Sequence, residues 1–102
     1  MSVISVDQVN FEELKASEKP LLLDFYADWC GPCRMMAPIV AELAEEHPEF
    51  AVGKVNTDRE PHLAQLFGIV QIPTLVVLKK GEVTARFIGV RPKEALLEAL
   101  EG

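Results

Sequence analysis

The chain has 102 residues, 49% of them hydrophobic, with sixteen acidic against ten basic side chains and a net charge of −6. That length supports one domain around one core, expected to span residues 1–102. The acidity leaves no basic face to displace counterions from a phosphate backbone, so nucleic acid is excluded as a partner class.

Residues 3–6 form a short apolar stretch. No apolar run reaches the roughly 20 residues of a membrane span, and Met1-Ser2-Val3-Ile4-Ser5 lacks the charged and apolar regions of a signal peptide. A cytoplasmic location with no membrane association is therefore expected. Asn10 is the expected N-cap of a helix over residues 11–16, which Lys19-Pro20 ends. Residues 21–27 are a near-continuous apolar run, the pattern of a strand buried on both faces. The one carboxylate inside that run, Asp24, is expected to be buried, and burial raises a carboxyl pKa because it penalises the charged form.

From Cys30 to Glu46 the apolar residues Met36, Ile39, Val40 and Leu43 recur at helical spacing, with Glu42, Glu45 and Glu46 opposite. Pro38 removes one hydrogen bond inside this helix and is expected to kink it. Residues 51–56 alternate as a strand in which Gly53 is expected to cost a little stability. Residues 61–67 read as a short helix stopped by Gly68. Residues 74–78 are strongly β-forming, and Lys79-Lys80-Gly81-Glu82 turns the chain back into residues 83–88 as a hairpin. Residues 93–101 close as an amphipathic helix. Met35, Met36, Leu43, Leu96 and Leu100 are assigned to the core.

The order β-α-β-α-β-α-β-β-α calls for an α/β fold: a central mixed sheet of about five strands, parallel strands first and a hairpin at one edge, flanked by four helices on both faces. Sites in such sheets form beyond the carboxyl ends of strands, and Cys30 lies there, just past Ala27.

Trp29-Cys30-Gly31-Pro32-Cys33 holds the only two cysteines of the chain. Only the thiolate is nucleophilic, and a helix N-terminus favours it through unpaired N–H groups and the aligned peptide dipoles. Residues three apart on a helix lie roughly 5 to 6 Å apart at Cβ, so modest tightening lets Cys33 close onto Cys30. As a structural staple the pair is badly placed, since so small a loop gains about 2 kcal/mol at most. As half of a zinc site it lacks the other half: thirteen residues separate Cys33 from His47 and fourteen separate His47 from His62, where a finger needs about three to five between histidines. Redox chemistry is the remaining reading.

These residues carry a resemblance. Over essentially its full length the chain resembles the thioredoxin family in Asp24-Phe25, Ala27-Asp28-Trp29-Cys30-Gly31-Pro32-Cys33-Arg34, Ala37-Pro38, Lys54-Val55-Asn56 with Asp58, Ile72-Pro73-Thr74, Lys80-Gly81 and Gly89. It departs at Tyr26, where many members have tryptophan, and at Val70-Gln71, a loop position often basic or glycine.

The resemblance implies a thioredoxin fold and a protein-disulfide reductase. Cys30 attacks the substrate disulfide, Cys33 resolves the mixed disulfide, Asp24 accepts the Cys33 proton through a water, and Lys54 tunes that titration. It further implies a cis bond before Pro73, and a flat apolar docking face formed by Trp29, Gly31, Pro32, Ile72, Pro73, Ile88 and Gly89. Recycling falls to a flavin-dependent thioredoxin reductase drawing on NADPH; the chain itself is expected to be a monomer with no bound cofactor and no metal. Disulfide-containing proteins such as ribonucleotide reductase, peroxiredoxins and methionine sulfoxide reductases are the implied substrates. Gly31-Pro32 between the cysteines resembles the reducing members rather than net oxidants or isomerases. The alternative is a redox-switched protein-binding module, or an accessory subunit, that uses the same apolar face.

Overall fold

A computed structural model of the chain describes residues 3–102. Met1 and Ser2, on which part of the signal-peptide expectation rests, lie outside them. Among the described residues the elements run β1 (Ile4–Ser5), α1 (Gln8–Ala16), β2 (Leu21–Tyr26), α2 (Gly31–Glu46), β3 (Ala51–Asn56), α3 (Pro61–Leu66), β4 (Thr74–Lys79), β5 (Glu82–Ile88) and α4 (Lys93–Glu101). The strands form one sheet in the order β1-β3-β2-β4-β5. β1, β3 and β2 pair parallel, and β4 joins β2 and β5 antiparallel, so the mixed α/β architecture expected from the element order is the one found.

β2 sits at the centre and is buried on both faces because successive side chains point to opposite sides of the pleat. Leu21, Leu23 and Phe25 join Phe11 of α1, Leu63 of α3 and Phe67 in one core cluster. Leu22 joins Met36, Val40 and Leu43 of α2 with Leu96 and Leu100 of α4 in the other. Asp24 therefore follows Leu22 onto the α2 face. Lys54 follows Val52 onto the same face, and Asp24 and Lys54 are direct neighbours in the β2–β3 register.

The antiparallel run of β4 brings its first residue to the carboxyl end of β2, where Thr74 pairs with Phe25 on one side and Ile88 on the other. Ile72 and Pro73 are thereby delivered beside the start of α2. The hairpin that reverses β4 into β5 turns on Lys80 and Gly81, both at positive φ (53° and 84°), the conformation that matches strand twist in a two-residue turn.

Three expectations need correction. The N-cap of α1 is Asp7, not Asn10. Asp7 Oδ1 accepts from the N–H groups of Val9 and Asn10 at 2.9 Å, and Asn10 Oδ1 accepts in return from the Asp7 N–H at 2.8 Å. Asn10 is thus the third helical residue of a reciprocal capping box, and its short side chain made both roles plausible from sequence. Met35 is exposed (62%) rather than core, because the buried stripe of α2 passes through Cys33, Met36, Val40 and Leu43. Gly53 is required by packing: a Cβ there would stand 2.5 Å from Val6 Cγ2, so β1 and its following residue close onto β3 only because position 53 has no side chain. Pro38 lies inside a continuous α2.

Candidate active site at the start of the second helix

The peptide geometry at the end of β2 builds the site. The Cys30 N–H donates to the Ala27 carbonyl at 3.2 Å, and Cys30 adopts extended backbone angles as the N-cap of α2. A cap residue turns its side chain toward the free N–H groups of the first turn, and here the acceptor is sulfur: Cys33 N–H donates to Cys30 Sγ at 3.2 Å. Pro32 in that turn has no N–H to leave unpaired. Cys30 and Cys33 are joined as a disulfide with Cα atoms 5.3 Å apart. Both are buried, packed with Ala27, Tyr26 and Ile72. When the pair is reduced, the same N–H and the helix dipole favour negative charge on Cys30.

Behind the cysteines, Asp24 is 4% exposed. Burial pushes its carboxyl up to about 7, and the neighbouring Lys54 pulls it back only in part. Among the described residues Asp24 Oδ1 has no hydrogen-bond partner. A cavity of about 400 Å³ joins this carboxyl to Cys33, with Tyr26, Val40, Ala41 and Lys54 among the residues of its wall. A space of that size with a polar atom at its floor accommodates water. Lys54 itself is exposed.

The other side of the disulfide faces the surface. Cys30 Sγ lies 3.8 Å from the Ile72 carbonyl oxygen, and the Ile72–Pro73 bond is cis. Gly89, at φ 97°, donates its N–H to the Pro73 carbonyl at 2.8 Å, so the end of β5 is tied to the start of β4. Trp29 is 68% exposed and Ile88 50%; Gly31 and Pro32 are exposed beside them, while Pro73 is buried. The two sets of residues expected to act are therefore divided by the disulfide, Asp24 and Lys54 behind it, and the apolar group in front.

Two features carried no stated role in the sequence reading. Trp29 Nε1 donates to Asp58 Oδ2 at 2.9 Å, and Asp58 is set by a turn in which the buried Asn56 side chain accepts from the Asp58 and Arg59 N–H groups. The Asn-x-Asp spacing after β3 is the signal for that turn. Val70 (92% exposed) and Val90 (38%) add apolar surface near the ends of β4 and β5, and no periodicity marks loop residues of this kind.

A family model described as Thioredoxin matches residues 2–102. The chain belongs to the thioredoxin family. It is 44% identical to a thioredoxin of Alicyclobacillus acidocaldarius over 93% of this chain and 91% of that one. It is also 41% identical to part of a bifunctional thioredoxin reductase/thioredoxin of Mycobacterium leprae, covering 88% of this chain and 20% of that protein. Among solved structures, a mutant thioredoxin from Halobacterium salinarum superposes with a TM-score of 0.91 at 36% identity, over 98% of this chain and 88% of that one. Family and disulfide-forming cysteine pair together make this chain a thiol–disulfide oxidoreductase with protein-disulfide reductase activity. Among the described residues no three His, Cys, Asp or Glu side chains are grouped to hold a metal ion, and no helix is long and apolar enough to cross a membrane.

Proposed function

We propose that Cys30 and Cys33 divide the reduction of a substrate disulfide between them, with Asp24 handling the proton. The Cys30 thiolate attacks one substrate sulfur, the substrate S–S bond breaks, and the departing sulfur leaves as a thiolate that takes a proton from solvent. Asp24 then takes the Cys33 proton across the cavity, and the Cys33 thiolate attacks Cys30 Sγ. The mixed disulfide breaks, the second substrate thiolate leaves, and the Cys30–Cys33 disulfide remains. Two electrons pass from the dithiol to the substrate, so the exchange needs no bound cofactor.

The observation that carries this assignment is the position of the two sulfurs. Cys30 Sγ lies against Ile72 in the docking region, whereas Cys33 lines the cavity that Asp24 floors. A carboxyl held near neutrality by burial serves as base and acid at working pH; Lys54 tunes it by charge alone, consistent with its pull on the Asp24 carboxyl. Trp29, Gly31, Pro32, Ile72, Pro73, Ile88 and Gly89 receive an extended substrate segment, the Ile72 backbone adding a short strand pairing.

The chain works as one domain over residues 1–102, a monomer in the cytoplasm, where the thiol pool is kept reduced. A thioredoxin reductase drawing on NADPH restores the dithiol, a partnership supported by the Mycobacterium leprae relative whose name joins both activities. The test is reduction of insulin disulfides with NADPH and a thioredoxin reductase. Turnover by the native chain and none by the Cys30→Ser, Cys33→Ser double variant is the expected result. Absence of turnover with either reductase or dithiothreitol overturns the assignment, and a partner fully served by the double variant indicates a binding module instead.

A further inference from the structure

At the rim of the proposed docking face, beyond Gly89, the structure holds one cation in a prepared position. The backbone N–H of Arg91 donates to Sδ of the fully buried Met36 at 3.4 Å, which anchors the residue to α2. Its side chain folds back over the end of β5. Cζ lies 5.9 Å from the Phe87 ring centroid, Nη1 donates to the Val90 carbonyl at 3.0 Å, and a Cβ added at Gly89 would meet that same Nη1 at 3.5 Å. The guanidinium therefore lies against Gly89, the residue whose N–H is bonded to the Pro73 carbonyl.

A guanidinium carries five N–H donors, and Val90 takes one of them. Among the described residues the ion pairs are Lys15 with Glu12, His47 with Glu49, and Lys93 with Glu42 and Glu46; Arg91 has no carboxylate of its own. A planar, pre-oriented fork with free donors is the group that suits a carboxylate, bound through charge-assisted and often paired hydrogen bonds. The chain as a whole offers an acidic partner no long-range attraction, since it carries a net charge of −6. Any preference for a carboxylate must then arise at contact range from a local cation, and long-range steering works against it.

We propose that Arg91 is a specificity-determining residue that recognises an aspartate or glutamate of the substrate protein, placed within a few residues of the cysteine being reduced. The proposal rests on the docking-face reading above. It selects substrates through one charged contact beside an otherwise apolar, sequence-tolerant surface.

The test uses the full chain, pre-reduced, against disulfide-linked peptides in which a single Glu or Gln occupies each position flanking the cysteine in turn. The quantity read is the ratio of single-turnover second-order rate constants, Glu over Gln. At one flanking position the native chain is expected to favour Glu about two- to five-fold, the range of an ion pair at a partly exposed site. The ratio should fall to about one in Arg91→Gln, fall only partway in Arg91→Lys, which keeps the charge and loses the fork, drop below one in Arg91→Glu, and shrink with added salt. A ratio of one at every position in the native chain, or a preference that survives Arg91→Gln, overturns the proposal while leaving disulfide reduction intact. Failure of the native chain to reduce any of the peptides removes the docking reading and the proposal together.

Discussion

Asp24 joins two properties that oppose each other, a charged functional group and a position inside the most apolar strand of the chain. Its burial was legible in the run of residues 21–27, because a strand in the middle of such a sheet has no solvent-facing side. Its pairing with Cys33 came from the family resemblance alone, since nothing in local spacing says which face of β2 the carboxyl occupies. The shared cavity predicts that resolution of the mixed disulfide quickens as pH rises through about 7, the range in which Asp24 becomes a base. Asp24→Asn should slow that step at neutral pH by roughly a hundred-fold, the lower end of the scale of general base catalysis, and should lose the pH dependence near 7. Rapid-mixing kinetics of single-turnover substrate reduction would measure both. An unchanged rate in the variant would take Asp24 out of the proton path. The Trp29–Asp58 bond shows the same limit of sequence reading, because its partners are brought together by the β2–β3 pairing rather than by proximity along the chain.

Within elements, local rules succeed where both partners lie inside one turn. The N-terminal cap of α2 is contained in the span from Cys30 to Cys33, so the helix start, the sulfur acceptor and the cysteine spacing are all properties of four consecutive residues. The α1 cap illustrates how such rules slip: Asp7 and Asn10 are both good caps three residues apart, and the reciprocal bonds place the helix start at the earlier one. Gly53 shows the opposite case, in which a strand glycine that looks like a defect is the residue that lets β1 close onto β3. Gly53→Ala should destabilise the chain by about 1–3 kcal/mol, because the added methyl meets the branched side chain of buried Val6 rather than a flexible chain end. Denaturant unfolding at fixed pH would read this directly; a loss under about 0.5 kcal/mol would show that β1 yields without penalty.

At the scale of the whole molecule the buried carboxyl is a term in folding. Its folded value, about 7, lies above its ordinary value of 3.8, so between these pH values the native state holds a proton that the unfolded chain releases. The associated stability is fully present below about pH 4 and is lost as pH rises through about 7. The asparagine variant carries no such dependence. Its stability relative to the native chain should therefore improve between pH 5 and pH 8, by roughly 3 kcal/mol if the full effect is expressed. Urea unfolding of both proteins at the two pH values gives the difference, and a difference independent of pH would mean that the carboxyl titrates normally in the fold.

The residues themselves determined the α/β class, the element order and the redox character of the cysteine pair, because periodicity, turn chemistry and capping act over a few neighbouring positions. The tertiary structure alone decided which side of the disulfide each group faces. Strand alternation and register put Asp24 and Lys54 behind Cys33, the antiparallel entry of β4 put Ile72 and Pro73 beside Cys30, and the packing of residue 91 on Met36 and Phe87 laid a guanidinium over Gly89. Those placements join residues dozens of positions apart, and only the closing of the sheet and the burial of its two faces bring them within reach of one another.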